Sequence, residues 1–448
     1  MKYSDAVVRA AERLNIRPEA VQTYLDAGRG ERASGVERSF HTTVKPIGAL
    51  CNLDCTYCYY LSKEELLEQK TRRITGDILE RFIVDYIAAQ DAPEIVFTWH
   101  GGEPTLMGLP FFERVVELQA KHLPPGRRIS NDLQTNGTLL DDGWCRFLAK
   151  NGFLVGLSID GPRELHDAYR PTKGNAPSFD KVIAGARLLV KHNVVYSALC
   201  TVNRKNAREP LAVYRFLRDE LGAKFIQFIP CVEPRGFERT APGFQRDQEL
   251  ASADSPRARP GHPFSIVTEF SVDPDDWGSF LAAIFDEWLA HDRGGVRINL
   301  FESMFDQLAG RPAHLCTQSP ICGKNIALEN DGRVYSCDHF VYPEYELGKI
   351  GDRSLAEMMF SLRQLEFGLA KHNTLPSECR KCPYLKLCWG ECPRTRLLKT
   401  RPGEGNLSYL CSGWKHFYAH AVPRAPRRPI ADPRLVPAVA LLRSRPAT

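Results

Sequence analysis

Residues 51–60 read CNLDCTYCYY, and the interpretation of the whole chain turns on this stretch. Cys51, Cys55 and Cys58 share one tight loop directly after His41–Lys45, a β-branched run that reads as a strand. A structural zinc site closes with four ligands. Three cysteines on a cubane [4Fe–4S] cluster instead leave one iron without a protein ligand, open to a small chelating molecule. Spacing alone leaves two alternatives standing: a zinc loop completed by a distant fourth ligand, and buried thiols that only pack.

Outward from the loop, short apolar runs alternate with amphipathic stretches, the pattern of a parallel sheet with helices packed outside it. The predicted strands are His41–Lys45, Glu94–Trp99, Ile129–Thr135, Phe153–Ser158, Val194–Thr201 and Phe225–Pro230. Helical periodicity fills the gaps at Asp77–Ala89, Phe111–His122, Asp142–Asn151, Phe179–His192 and Glu209–Leu221. Such a series is a barrel or part of one, and in parallel barrels the chemistry sits at the C-terminal strand ends. There the sequence places the cysteine loop, then HGGEP (100–104), QTNG (134–137), SIDG (158–161) and PCVEP (230–234).

The chain has 448 residues, 43% hydrophobic and 25% charged, which excludes a fibrous or wholly disordered protein. A net charge of +5 does not suggest a nucleic-acid partner. No apolar run reaches the roughly 18–20 residues of a membrane helix, and charges interrupt the N-terminus where a secretion signal would be apolar. The expected compartment is therefore the cytoplasm, where 14 cysteines point to metal ligands rather than disulfides. Eight of them lie between Cys316 and Cys411, enough for two four-ligand sets, with zinc ribbons as the alternative to iron–sulfur. Cys145, Cys200 and Cys231 fit neither pattern and read as buried thiols.

The loop CNLDCTYC, with Tyr57 before its third cysteine, resembles the signature of the radical S-adenosylmethionine (SAM) enzymes. The resemblance implies a partial (β/α)6 TIM-like barrel in which Cys51, Cys55 and Cys58 hold a [4Fe–4S] cluster whose open iron chelates SAM. It further implies SAM contacts from Tyr57, Gly101, Gly102, Glu103, Asn136, Ser158, Asp160 and Arg170. The C-terminal cysteines resemble the SPASM extension with its two auxiliary [4Fe–4S] clusters, making three clusters in all. One set is then Cys316, Cys322, Cys337 and Cys392, the other Cys379, Cys382, Cys388 and Cys411. With all four positions filled, electron transfer is the natural role of these clusters.

The text from about Phe40 to Phe417, including TTVKPIGALCNLDCTYCYYL, FTWHGGEPTLMG, RPTKG and YSCDHFVYPEYELGKI, is similar to the anaerobic sulfatase-maturating enzymes. These oxidise a Cys or Ser in a Cys/Ser-x-Pro-x-Arg motif of an unfolded or nascent sulfatase to Cα-formylglycine. The resemblance makes Asp338 the base, with His339 in reserve, and Tyr60 and His100 substrate contacts. It implies an electron donor such as flavodoxin or ferredoxin. A carboxylate shielded from water beside a cluster is expected to have a raised pKa. The rival reading is a SPASM maturase that crosslinks a ribosomal peptide; residues 1–40 look short for the leader-binding domain many such enzymes carry. The expected segments are an appendage at 1–40, the barrel at 41–232, a linker at 233–275, the SPASM region at 276–421 and a disordered tail at 422–448.

Overall fold

The computed structural model describes residues 3–29, 37–67, 73–237 and 250–425. The expected tail from 426 onward, part of the linker (238–249) and part of the N-terminal join (30–36) lie outside the described residues. In chain order the strands are β1 His41–Lys45, β2 Glu94–Trp99, β3 Arg128–Thr135, β4 Leu154–Ser158, β5 Tyr196–Val202 and β6 Phe225–Pro230, followed by β7 Ala251–Ser252, β8 Arg297–Ile298, β9 Asn325–Glu329, β10 Arg333–Tyr335, β11 Glu346–Lys349 and β12 Leu398–Lys399. The first six fall within two residues of the predicted ones.

The chain forms two compact units, and each draws on separated stretches of sequence. The first takes residues up to Leu50, Tyr60–Leu133 and Ile321–Asn373. In it β1 pairs in parallel with β2 on one side and β9 on the other, and β2 pairs in parallel with β3. β10 and β11 extend the β9 side as antiparallel strands. Along β2 burial alternates, sending Phe97 and Trp99 into a stack with Phe82, Tyr86 and Phe112 from the helices Gly76–Ala88 and Leu109–His122. The N-terminal segment adds two helices, Asp5–Leu14 and Pro18–Gly28. They seal Val7, Ala10, Ala11 and Val21 against Leu362 and Leu365, and Tyr24 donates its hydroxyl to the Met359 carbonyl at 2.7 Å.

The second unit takes Cys51–Tyr59, Gln134–Pro320 and the chain from Thr374. Here β4, β5, β6 and β8 are parallel neighbours in that order. The helix expected over Glu209–Leu221 is α-helical only from Pro210 to Arg215 and continues as a π-helical turn, Phe216–Glu220. Helix Pro274–His291 packs against Cys411–Ala421, and the contact is glycine-specific. A Cβ on Gly413 would stand 2.1 Å from the Pro274 carbonyl oxygen, and one on Gly278 would stand 2.7 Å from that of Gly413. The close approach sets Trp277 edge-on to Trp414 at 5.4 Å.

Candidate active site

The three-cysteine loop belongs to the second unit and is pinned by its own backbone. Asp54 N–H donates to Pro171 O at 2.8 Å, Thr56 N–H to Tyr169 O at 3.0 Å, and Cys58 N–H closes a turn on Cys55 O at 2.9 Å. Two donors point at Cys51 Sγ: the Leu53 amide at 3.4 Å and Asn136 Nδ2 at 3.8 Å. The same Nδ2 donates to Asn52 Oδ1 at 2.9 Å, and Asn136 Oδ1 accepts from the Thr138 amide and hydroxyl at 3.0 and 2.7 Å. Donors to a ligand sulfur tune a cluster's potential. Burial pushes the Cys55 thiol up to about 12, with Cys58 and Cys51 adding to the rise and Arg170 opposing it. Three crowded thiols, of which Cys55 resists ionisation, fit a bound cation that displaces their protons.

Behind the loop, Arg170 spans Asp160 through Nε–Oδ2 at 2.9 Å and Nη2–Oδ1 at 3.1 Å. The Tyr57 hydroxyl also donates to Asp160, and the Thr201 amide donates to Oδ1 at 3.0 Å. All of Asp160, Arg170 and Tyr57 are buried. Expected to face SAM, these three groups spend their main contacts on one another and brace the loop. Ser158 accepts from Gln134 Nε2 at 2.9 Å.

Also in the second unit, Cys379, Cys382, Cys388 and Cys411 line one small pocket with Trp414, Lys415 and Tyr418. All four are free thiols, and burial pushes Cys411 up to about 12. Between Cys388 and Cys392 three successive residues, Trp389, Gly390 and Glu391, are left-handed at φ 49°, 66° and 55°. Two of these are not glycine, a conformation that costs on the order of 1–3 kcal/mol each. Buried Arg396 holds the turn by donating to the carbonyls of Gly390 and Trp389, both at 3.0 Å. Among the described residues no three His, Cys, Asp or Glu side chains converge as on a single ion. A cubane spreads its thiolates over four irons, so its ligands stand wider apart. Of the other expected cluster ligands, Cys316 and Cys392 lie in the second unit, Cys322 and Cys337 in the first. Cys145, Cys200 and Cys231 are buried, as expected.

In the first unit the GGEP turn packs on the end of β1. Gly102 N–H donates to Gly48 O at 2.8 Å and Glu103 N–H to Leu50 O at 2.9 Å. A Cβ on Gly102 would stand 1.9 Å from the Leu50 carbonyl oxygen, and Gly101 sits at φ +121°. The glycines are thus required by backbone packing. Glu103 is buried, and its Oε1 accepts from the Thr105 amide and hydroxyl at 3.0 and 2.6 Å.

Beside this turn lies a group that sequence reasoning missed. Lys45, the fully buried last residue of β1, ion-pairs with Asp338, stands 3.2 Å from His100 Nδ1 and covers the Tyr60 ring at 4.4 Å. The Tyr60 hydroxyl donates to Glu329. The raised pKa expected for Asp338 is corrected here. Burial raises it, but Lys45, His100 and His339 outweigh burial and hold the carboxyl well below the usual carboxylate range. Since burial and Lys45 push His100 down to about 3, that ring is neutral at neutral pH and Lys45 is the decisive cation. The only hint in the sequence was a lysine ending a β-branched strand, in TTVKP.

The family description "Radical SAM superfamily" matches residues 46–217, and "Iron-sulfur cluster-binding domain" (SPASM) matches residues 320–383. With the parallel α/β architecture and the two cysteine-rich regions, these define a radical SAM protein carrying a SPASM region, whose cofactors are SAM and [4Fe–4S] clusters. A serine-type anaerobic sulfatase-maturating enzyme of Bacteroides thetaiotaomicron is 44% identical over 86% of this chain and 90% of its own. A cysteine-type enzyme of Clostridium perfringens is 33% identical over 85% and 96%. The solved structure of native anSMEcpe with bound AdoMet and Cp18Cys peptide covers 86% of this chain and 97% of its own, with 32% identity and a TM-score of 0.72. The chain belongs to the family of anaerobic sulfatase-maturating enzymes. No described helix is long and apolar enough to cross a membrane.

Proposed function

We propose that the chain oxidises a serine or cysteine of a sulfatase polypeptide, in a Cys/Ser-x-Pro-x-Arg motif, to Cα-formylglycine. The observation that carries this reading is the 44% identity to a serine-type maturase over most of both chains. Bound at the site, SAM and the open cluster would supply the one-electron chemistry that removes a Cβ hydrogen, and the cysteine-saturated clusters would supply an acceptor for the second electron.

Cys51, Cys55 and Cys58 hold the open cluster, with Asn136 and the Leu53 amide donating to Cys51. Gly101, Gly102, Glu103 and Ser158 shape the SAM pocket, and Tyr57, Asp160 and Arg170 act by bracing the cysteine loop. One auxiliary cluster takes Cys316, Cys322, Cys337 and Cys392, the other Cys379, Cys382, Cys388 and Cys411. Asp338, held ionised by Lys45, takes the proton of the substrate hydroxyl or thiol. Loss of a hydrogen atom, a proton and an electron turns serine into the aldehyde. Cysteine gives a thioaldehyde, which water converts to the aldehyde and hydrogen sulfide. The enzyme works in the cytoplasm, reduced by a flavodoxin or ferredoxin, and binds no nucleic acid.

The test is mass spectrometry of two peptides, one with Cys-x-Pro-x-Arg and one with Ser-x-Pro-x-Arg, incubated with the reconstituted enzyme, SAM and dithionite. The Cys peptide is expected to lose about 18 Da and the Ser peptide about 2 Da, with 5′-deoxyadenosine formed. If 5′-deoxyadenosine forms and neither peptide changes mass, the substrate is a different peptide.

A further inference from the structure

Lys45 brings an ammonium into a place where a bare charge is costly, and its partners show what it organises. It meets Asp338, His100 and the Tyr60 ring, three groups from separate stretches of sequence within the first unit. The His100 ring is the informative one. Its Nδ1 accepts the Gly101 amide N–H at 2.7 Å. A backbone amide only donates, so Nδ1 carries no hydrogen and the proton of the neutral ring sits on Nε2. Lys45 Nζ, itself a donor, stands 3.2 Å from the same Nδ1 and disfavours a second proton there. His100 is therefore a fixed neutral donor rather than a base. It is half-buried at the end of β2, and among the described residues its Nε2 has no protein partner.

We propose that Lys45 is a positioning residue that locks His100 as an Nε2–H donor to the side-chain heteroatom of the substrate, while holding Asp338 as the acceptor of that heteroatom's proton. The inference rests on the function proposed above and deepens it, because the donor discriminates between substrates. Oxygen accepts a hydrogen bond far better than sulfur, and a hydroxyl gives up its proton less readily than a thiol. The donor is thus worth more when the substrate is serine.

The experiment compares the reconstituted holoenzyme with its Lys45→Met, Lys45→Arg, His100→Phe and His100→Gln variants on the Ser and Cys peptides. Formylglycine and 5′-deoxyadenosine are quantified separately. In Lys45→Met and His100→Phe, 5′-deoxyadenosine formation is expected to persist, while formylglycine from the Ser peptide falls about tenfold further than that from the Cys peptide. Lys45→Arg, which keeps the cation, and His100→Gln, whose amide still donates, are expected to restore most of the Ser-to-Cys ratio. Equal losses on both peptides, or an unchanged ratio in His100→Phe, overturn the proposal even if Lys45→Met fails to fold. If the unsubstituted enzyme forms formylglycine from neither peptide, the functional reading itself fails and takes this inference with it.

Discussion

Asp338 and Lys45 depend on each other, and that governs what each substitution does. Removing one partner of a buried ion pair strands the other charge at a cost of about 3–5 kcal/mol, so Lys45→Met is expected to lower the melting temperature measurably. Asp338→Asn keeps shape and hydrogen bonding but removes the acceptor. It is expected to suppress formylglycine while SAM cleavage continues, read by chromatography of 5′-deoxyadenosine beside mass spectrometry of the peptide; undiminished product would place the base elsewhere. The three-cysteine loop stood out in the sequence because its thiols recur at short spacing, whereas Asp338 was singled out only by the resemblance of its segment to the family. Lys45 and Glu329 could not, since folding alone brings β1, β9 and the segment after β10 together. The mutual engagement of Asp160 and Arg170 escaped for the same reason: each looked like a polar residue awaiting a ligand, and each had a partner in the other.

Among elements, the GGEP turn illustrates how backbone packing produces a motif. Gly102→Ala would drive a methyl into the Leu50 carbonyl oxygen, so a destabilisation of about 3 kcal/mol or more is expected by thermal denaturation. Gly76, the first residue of its helix, has nothing within 4 Å of a built Cβ, and Gly76→Ala is expected to be neutral or slightly stabilising. In the second unit, replacing Cys379 and Cys388 with Ala is expected to lower iron from about twelve to about eight atoms per chain, measured by colorimetric assay, with the three-cysteine loop still loaded. An unchanged iron content would refute that ligand set. The parallel strands were legible because they are short and bounded by turns and amphipathic helices. β9, β10 and β11 were not, because their few residues sit inside a stretch whose cysteines dominate its reading. The π-helical turn after Arg215 has no signature in residue periodicity.

For the whole molecule, two imidazoles kept neutral in the fold contribute to acid sensitivity. Burial and Arg170 push His166 down to about 4, and burial and Lys45 push His100 down to about 3, from an ordinary value of 6.5. Both folded values lie below the unfolded one, so the unfolded chain binds more protons as pH falls below 6.5 and stability declines towards pH 4. His166 accounts for about 3 kcal/mol of that decline. Melting temperatures at pH 7, 6, 5 and 4 are expected to drop steadily, and less steeply in His166→Gln; a flat profile would contradict the assignment. The pairing of β1 with β9 carries a different consequence, for biosynthesis. Residues 41–45 leave the ribosome early, yet their neighbours at 325–329 follow only after most of the chain is made. At about 5–20 residues per second that interval lasts tens of seconds. Throughout it the nascent first strand has a bare edge, which makes it a place for a chaperone to hold.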